Sequence, residues 1–318
     1  MTLNPGAFRL ILAFLVFVSH VSRFSVGRPA VILFFMLSGY WVSRLYDSRA
    51  NPSTLVYIRG RFLRVWPLLA CVAVAEKLLF DAHGSLASTL GLLGLATRRG
   101  DVTGVAWSLD VEMQFYLMLP VAMTVFRRWP RAMAPLLALA TLVGLGLLRD
   151  NIITVFAYTP AFVAGALIWH LRWTPSTQSA TASVAAFGAV LLGLVIVPPL
   201  RSLVMNVVYI WWLDPFYLTV CLVLVPFVAW NVNRPSPAFD RHLGNLSFPF
   251  YLLQYPVIVA TRGIFHLSML NALLALATTM SLALGIYLFA DRPFELWRRR
   301  LNGRADDRGR AVAVTRPV

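Results

Sequence analysis

Apolar residues along this chain gather in one long run after another, and no long polar stretch interrupts them before residue 298. A hydrocarbon layer about 30 Å thick takes about 17 to 25 helical residues to cross. By that measure ten runs are candidate spans, centred on residues 7–22, 30–46, 63–80, 106–126, 132–148, 152–169, 181–198, 212–230, 247–265 and 270–290. The pattern predicts an all-α, polytopic integral membrane protein of about ten transmembrane helices. The stretch 85–96 (SLASTLGLLGLA) is too short and too glycine-rich to cross, and is read as a re-entrant or interfacial piece.

Composition agrees with that reading: 59% of the residues are apolar and 13% charged, where a soluble domain carries about 25% charge. The 318 residues leave no room for a separate soluble domain, so residues 1–298 are expected to form one membrane domain and 299–318 a basic, poorly ordered cytoplasmic tail. Residues 1–26 contain an apolar core with no small-x-small cleavage site after it, and are read as a retained first span. With the N-terminus inside, 20 arginines fall in cytoplasmic segments and seven in outward ones, which places both termini in the cytoplasm and the protein in the cell's inner (cytoplasmic) membrane. The net charge of +15 is then a topology signal and a grip on anionic lipid, and nucleic acid is not expected as a partner. Cys71 and Cys221 lie inside apolar runs and read as packing residues; no metal-ligand cluster, phosphate loop, GxSxG elbow or internal repeat stands out, and no metal is expected.

The polar groups inside the runs are the candidates for chemistry, because ionisable groups are costly in hydrocarbon. His20 follows Arg9 by eleven residues, and eleven steps of about 100° return a helix to within about 20° of its starting face after a rise of about 16 Å. Both are expected to look into one interior groove at different depths; taken singly, His20 also fits a histidine bonded between helices and Arg9 a membrane anchor. In RGRFLRVWP, residues 59–67, Arg61 and Arg64 share a helical face, so their guanidinium forks can close on one phosphate; anchoring is the alternative. In FFMLSGYWVS, residues 34–43, Gly39 and Ser43 form a small-xxx-small pair suited to close helix packing, and Ser38 adds a hydroxyl. In VAWSLDVEMQFYLMLP, residues 105–120, Ser108 and Glu112 are one turn apart on a face continued by Phe115, Tyr116 and Leu119. Helix capping is the alternative for Ser108 and for Asp110, which points away from that face. Glu112 lies deeper, and its carboxylate needs a partner such as an arginine or histidine of another span.

Taken together, these stretches resemble the membrane-bound acyltransferase family 3. The resemblance rests on Arg9 with ten residues before His20, FFMLSGY at 34–40, the RxxR of 61–64 with Pro67, WSLDVEMQFYLMLP at 107–120, LGNLSFPFYLLQYP at 243–256 and DRPF at 291–294. It covers residues 9 to about 298, and the WSL-x-x-E-x-x-FYL-x-x-P block together with FF-x-x-SG is its specific part. Two positions depart from the family pattern: Gln254 stands where members usually show a histidine, and Asp291 where they show a glutamate.

The resemblance implies transfer of an acyl group, usually acetyl, from cytoplasmic acyl-CoA to a hydroxyl on a sugar of a surface or exported glycan or its lipid-linked precursor. Members include O-antigen, exopolysaccharide and Nod-factor acetylases, and some modify macrolides. Longer members carry an SGNH domain, for which this sequence ends too soon; polysaccharide-assembly proteins are possible further partners. Such an enzyme must carry a reactive end across the bilayer, since the phosphates of CoA cannot enter lipid. Arg9, Arg61 and Arg64 are expected to hold the nucleotide, and the pantetheine arm to bring the thioester near His20. His20 then acts as general base on the acceptor hydroxyl or takes the acyl group itself, two courses that stay open. Glu112 is expected to orient His20 or to pair with an arginine; Ser38, Ser108, Trp107 and Tyr116 line the path, the two aromatics on the acceptor side. The alternative class is a multi-span exporter of a glycan or small molecule, although no matched pair of broken helices marks two halves.

Overall fold

The computed structural model describes residues 3–47, 54–80, 84–92, 101–205, 212–264, 269–294 and 296–297. The basic tail and the end of the 85–96 piece lie outside the described residues. Among those described, the regular structure is helical throughout, apart from one isolated bridge between Phe24 and Met205. The helices are α1 (Pro5–Val21), α2 (Gly27–Asp47), α3 (Thr54–Phe80), the short α4 (Leu86–Gly91), α5 (Ala106–Arg128), α6 (Pro130–Arg149), α7 (Thr159–His170), α8 (Thr177–Ile196), α9 (Leu213–Leu222), α10 (Val225–Val232), α11 (Ala238–Ile264) and α12 (Met269–Ile286). Short 3-10 turns precede α7 and follow α8, and a π-helical turn, Tyr287–Asp291, continues α12.

The expected count of about ten spans is overturned. Five helical segments are long and apolar enough to cross a membrane: α2, α5, α6, α8 and Met269–Phe294; a sixth is reached if α9 and α10, bent by 58° at a break, are one span. Apolar run length alone over-counted for two reasons. The first run and the run at 152–169 form apolar helical stretches of only 10 to 17 residues, Pro5–Val21 and Val155–His170. The other two, α3 and α11, have 27 residues each but dilute their apolar character. Along α3 lie Arg59, Arg61, Arg64, Glu76 and Lys77, and along α11 lie Asp240, Arg241, Gln254 and the internal prolines Pro249 and Pro256.

Burial differs widely among the spans. α2 is central, with 72% of its span buried, whereas the spans of α6 and α8 are 11% and 17% buried. Their exposed Leu139, Leu142, Leu192 and Ile196 give a lipid-facing surface its apolar character. α1 and α11 run side by side in the same direction. Their start is fixed by Asp240, whose carboxylate accepts the otherwise unpaired backbone N–H groups of Gly6 at 2.9 Å and Ala7 at 2.8 Å. α2 and α7 touch backbone to backbone, and a Cβ on Gly39 would run into the Phe162 carbonyl, which is the close packing expected of that position. Around this contact Phe35, Phe162 and Phe115 stack, with centroids 4.9 Å and 4.2 Å apart. α5 lies alongside α2 in the same direction: Trp107 meets Phe35 edge-on, Glu112 meets Ser38, and Arg127 pairs with Asp47 at 3.2 Å.

The start of α5 is capped from the preceding loop. Thr103 Oγ1 accepts the N–H of Ala106 at 3.1 Å, and Asp101 accepts the N–H of Trp107 at 3.2 Å. Neither Ser108 nor Asp110 caps this helix: Ser108 donates to the Val105 carbonyl, and Asp110 is fully buried past the first turn.

Candidate active site

Helix directions decide what can meet. α1, α3 and α11 contribute their early turns, and α2 and α5 their later ones, to one end of a cavity that holds about 960 Å³ of empty space including its mouth. Arg9, Arg61, Arg64 and Gly244 line that end, with Trp41 and Tyr116. On α2 the wall extends back to Val31, eleven residues from Val42, or about 16 Å of helix. The far end is formed by Ser108 of α5 and Tyr251 of α11.

Seven residues singled out from the sequence therefore share one wall: Arg9, Ser38, Arg61, Arg64, Ser108, Glu112 and Tyr116. Arg9 is admitted by Gly244, where any Cβ would strike the Arg9 guanidinium. Arg61 lies over the ring of Tyr116 at 5.7 Å, and Arg64 over that of Phe248 at 5.6 Å. Arg64 also reaches Asp291 of the π-helical turn, at 3.7 Å. Three guanidinium groups line this end, which concentrates positive charge there. Glu112 Oε1 accepts hydrogen bonds from the hydroxyls of Ser38, which joins α2 to α5, and of Tyr116, one turn along α5. The partners of this carboxylate are thus hydroxyls, with Arg61 reaching it through the Tyr116 ring.

His20 and Trp107 are not on the cavity wall. His20, near the end of α1, packs against Tyr255 of α11 with ring centroids 5.1 Å apart. Tyr255 follows Tyr251 by one helical turn on the same face, about 6 Å further along the axis. The imidazole therefore sits a turn beyond the closed end of the cavity. Trp107 lies under the Arg28 guanidinium at 4.6 Å, and Arg28 is tied to Asp214 at 3.1 Å, which also accepts from Tyr158 at 3.0 Å.

Three features of the site were missed from the sequence. Ser247, Tyr251 and Tyr255 recur every four residues along α11, a hydroxyl stripe that helical spacing could have revealed. Asp291, on the π-helical turn, lies 3.7 Å from Arg64, and no local signal announced that turn or that distant partner. The Arg28–Asp214 pair joins residues 186 apart and left no trace in the sequence.

Residues 4–290 match the family described as "Acyltransferase domain". The chain is 30% identical over 291 residues to "Nodulation protein 10" of Rhizobium leguminosarum bv. viciae, covering 76% of this chain and 75% of that protein. No solved structure matches. A match that runs from the first helix to the π-helical turn, and so includes every helix contributing to the cavity, shows that the chain belongs to the membrane-bound acyltransferase family 3.

Proposed function

We propose that this acyltransferase moves an acyl group, in the first place acetyl, from cytoplasmic acyl-CoA to a sugar hydroxyl of an exported or surface polysaccharide or of its lipid-linked precursor. The observation that carries the reading is one cavity with Arg9, Arg61 and Arg64 at one end and the Ser108 and Tyr251 hydroxyls at the other, one turn short of the His20–Tyr255 contact. The phosphates of the donor stay with the arginines at the cytoplasmic mouth. An extended pantetheine arm then follows the wall for a length comparable to the rise of about 16 Å between Arg9 and His20.

At the far end the thioester meets the acceptor. His20 takes the proton of the acceptor hydroxyl as general base, or takes the acyl group first and passes it on. Glu112, held by Ser38, anchors Tyr116, whose ring in turn positions Arg61. The protein works in the cytoplasmic membrane, with lipid, acyl-CoA and the glycan acceptor as its partners.

Purified protein given labelled acetyl-CoA and a glycan acceptor tests this. Label on the acceptor is the expected result; uptake of glycan into vesicles with no acylation would replace the enzyme by an exporter.

A further inference from the structure

At the far end of the cavity two buried hydroxyls share one backbone carbonyl. Ser108 Oγ and Tyr251 Oη are 2.7 Å apart, and both lie within hydrogen-bond distance of the Val105 carbonyl, at 3.1 Å and 3.2 Å. Ser108 is 5% exposed and Tyr251 6%, so no bulk water competes for them. Two hydroxyl protons are shared among three oxygens, each with two lone pairs, so the arrangement is rich in acceptors and either proton can turn to another oxygen. Both bonds to the Val105 carbonyl are longer than the usual O–H···O distance of about 2.7–2.8 Å, so the Tyr251 proton can be given to a better acceptor that enters the cavity.

We propose that Tyr251 is a catalytic hydrogen-bond donor that receives the developing charge on the thioester carbonyl oxygen. The inference rests on the acyl-CoA reading above and adds a residue to it. With the phosphates at the arginine end, the carbonyl of the extended arm arrives at the hydroxyl end of the wall. Tyr255, one turn past Tyr251 on the same face of α11, carries the contact to His20, so the histidine stands about one helical turn from the proposed donor.

In the general-base course the acceptor oxygen bonds to the thioester carbon while its proton passes to the imidazole of His20. The carbonyl π pair moves onto oxygen, where the Tyr251 O–H holds it in a site shielded from water. The carbonyl then re-forms, the carbon–sulfur bond breaks with its electron pair on sulfur, and the imidazolium returns the proton to give the CoA thiol. Ser108 accepts from or donates to Tyr251 throughout and aims its hydroxyl.

The test is Tyr251→Phe in the full chain, assayed with acetyl-CoA and a glycan acceptor. Loss of one such donor should lower kcat by about 10²–10³-fold with KM for acetyl-CoA unchanged. A kcat within a factor of two or three of the parent, or an effect confined to KM, would overturn the proposal. If Tyr251→Phe fails to fold, fluorotyrosines at position 251 decide, since they keep the hydroxyl and grade its acidity: kcat should follow phenol acidity at constant KM, and independence from acidity rejects the role. His20→Ala separates the two readings. An active His20→Ala beside an inactive Tyr251→Phe removes the histidine and keeps the tyrosine, the reverse removes only the tyrosine, and no acetyl transfer by the parent protein removes both.

Discussion

Tyr255 lies edge-on to His20 at the same sequence offset by which Gly244 meets Arg9: each α11 residue stands 235 positions after its α1 partner. Two helices that hold one offset over eleven residues are parallel and in register, so the groove between them has a fixed depth. That depth sets the distance from the arginine that receives an anion to the imidazole beyond the cavity.

Gly244→Ala tests this register. The new Cβ would strike the Arg9 guanidinium, and either the arginine leaves the wall or the helices part. We expect a destabilisation of about 1–3 kcal/mol, read as a lower Tm in detergent, together with a raised KM for acyl-CoA. An unchanged Tm and KM would show that Arg9 is not confined here.

Arg64 meets both the Phe248 ring and Asp291 and lines the cavity. Charge-assisted hydrogen bonds contribute about 1.5–3 kcal/mol, so Arg64→Ala should weaken acyl-CoA binding by about 10–100-fold. Arg64→Lys should recover only part of this, because a point charge cannot reproduce the fork. Equal recovery by lysine would exclude bidentate phosphate binding. Asp291→Ala, which removes this one ion pair, should shift KM in the same direction by less.

Glu112→Ala leaves the Ser38 and Tyr116 hydroxyls without their acceptor and should destabilise the protein by about 1–3 kcal/mol. Glu112→Gln keeps an oxygen for both donors and removes only the charge. It should therefore fold nearly as well as the parent and still lose activity. A fully active Glu112→Gln would reduce Glu112 to a structural hydrogen-bond acceptor.

His20→Ala should abolish acylation while the protein remains in the membrane, since the register of α1 is set at its other end by Asp240. Membrane fractionation and labelled acetyl transfer check the two halves of this expectation.

Thr103→Val removes the hydroxyl that caps α5 and should lower stability by about 1 kcal/mol. The helix start also carries Ser108, so a loss of activity larger than the loss of folded protein would show that the cap positions the site.

How far the chain could be read in advance differs from residue to residue. Arg61 and Arg64 were paired by spacing alone, because a helix of known pitch puts residues three apart on one face. Arg9 and His20 were placed on a common face by the same rule. Their neighbours were not, since spacing within one helix says nothing about which helix lies opposite. Glu112 was legible as a carboxylate in need of partners, but its partners turned out to be the hydroxyls of Ser38 and Tyr116. The span count failed where apolar runs proved too short, in α1 and α7, or too polar, in α3 and α11.

The sequence by itself determined that the chain is helical and membrane-bound, which family motifs it carries and which side chains share a helical face, because run length and helical pitch are local properties. Tertiary structure alone decided that α1 and α11 lie in register, that the arginines of α1 and α3 meet over one cavity, that the cavity closes at Ser108 and Tyr251, and that His20 sits a turn beyond it. Those relations depend on which glycines let two backbones touch and which carboxylate caps a distant helix, and contacts between residues far apart in the chain leave no periodic mark on it.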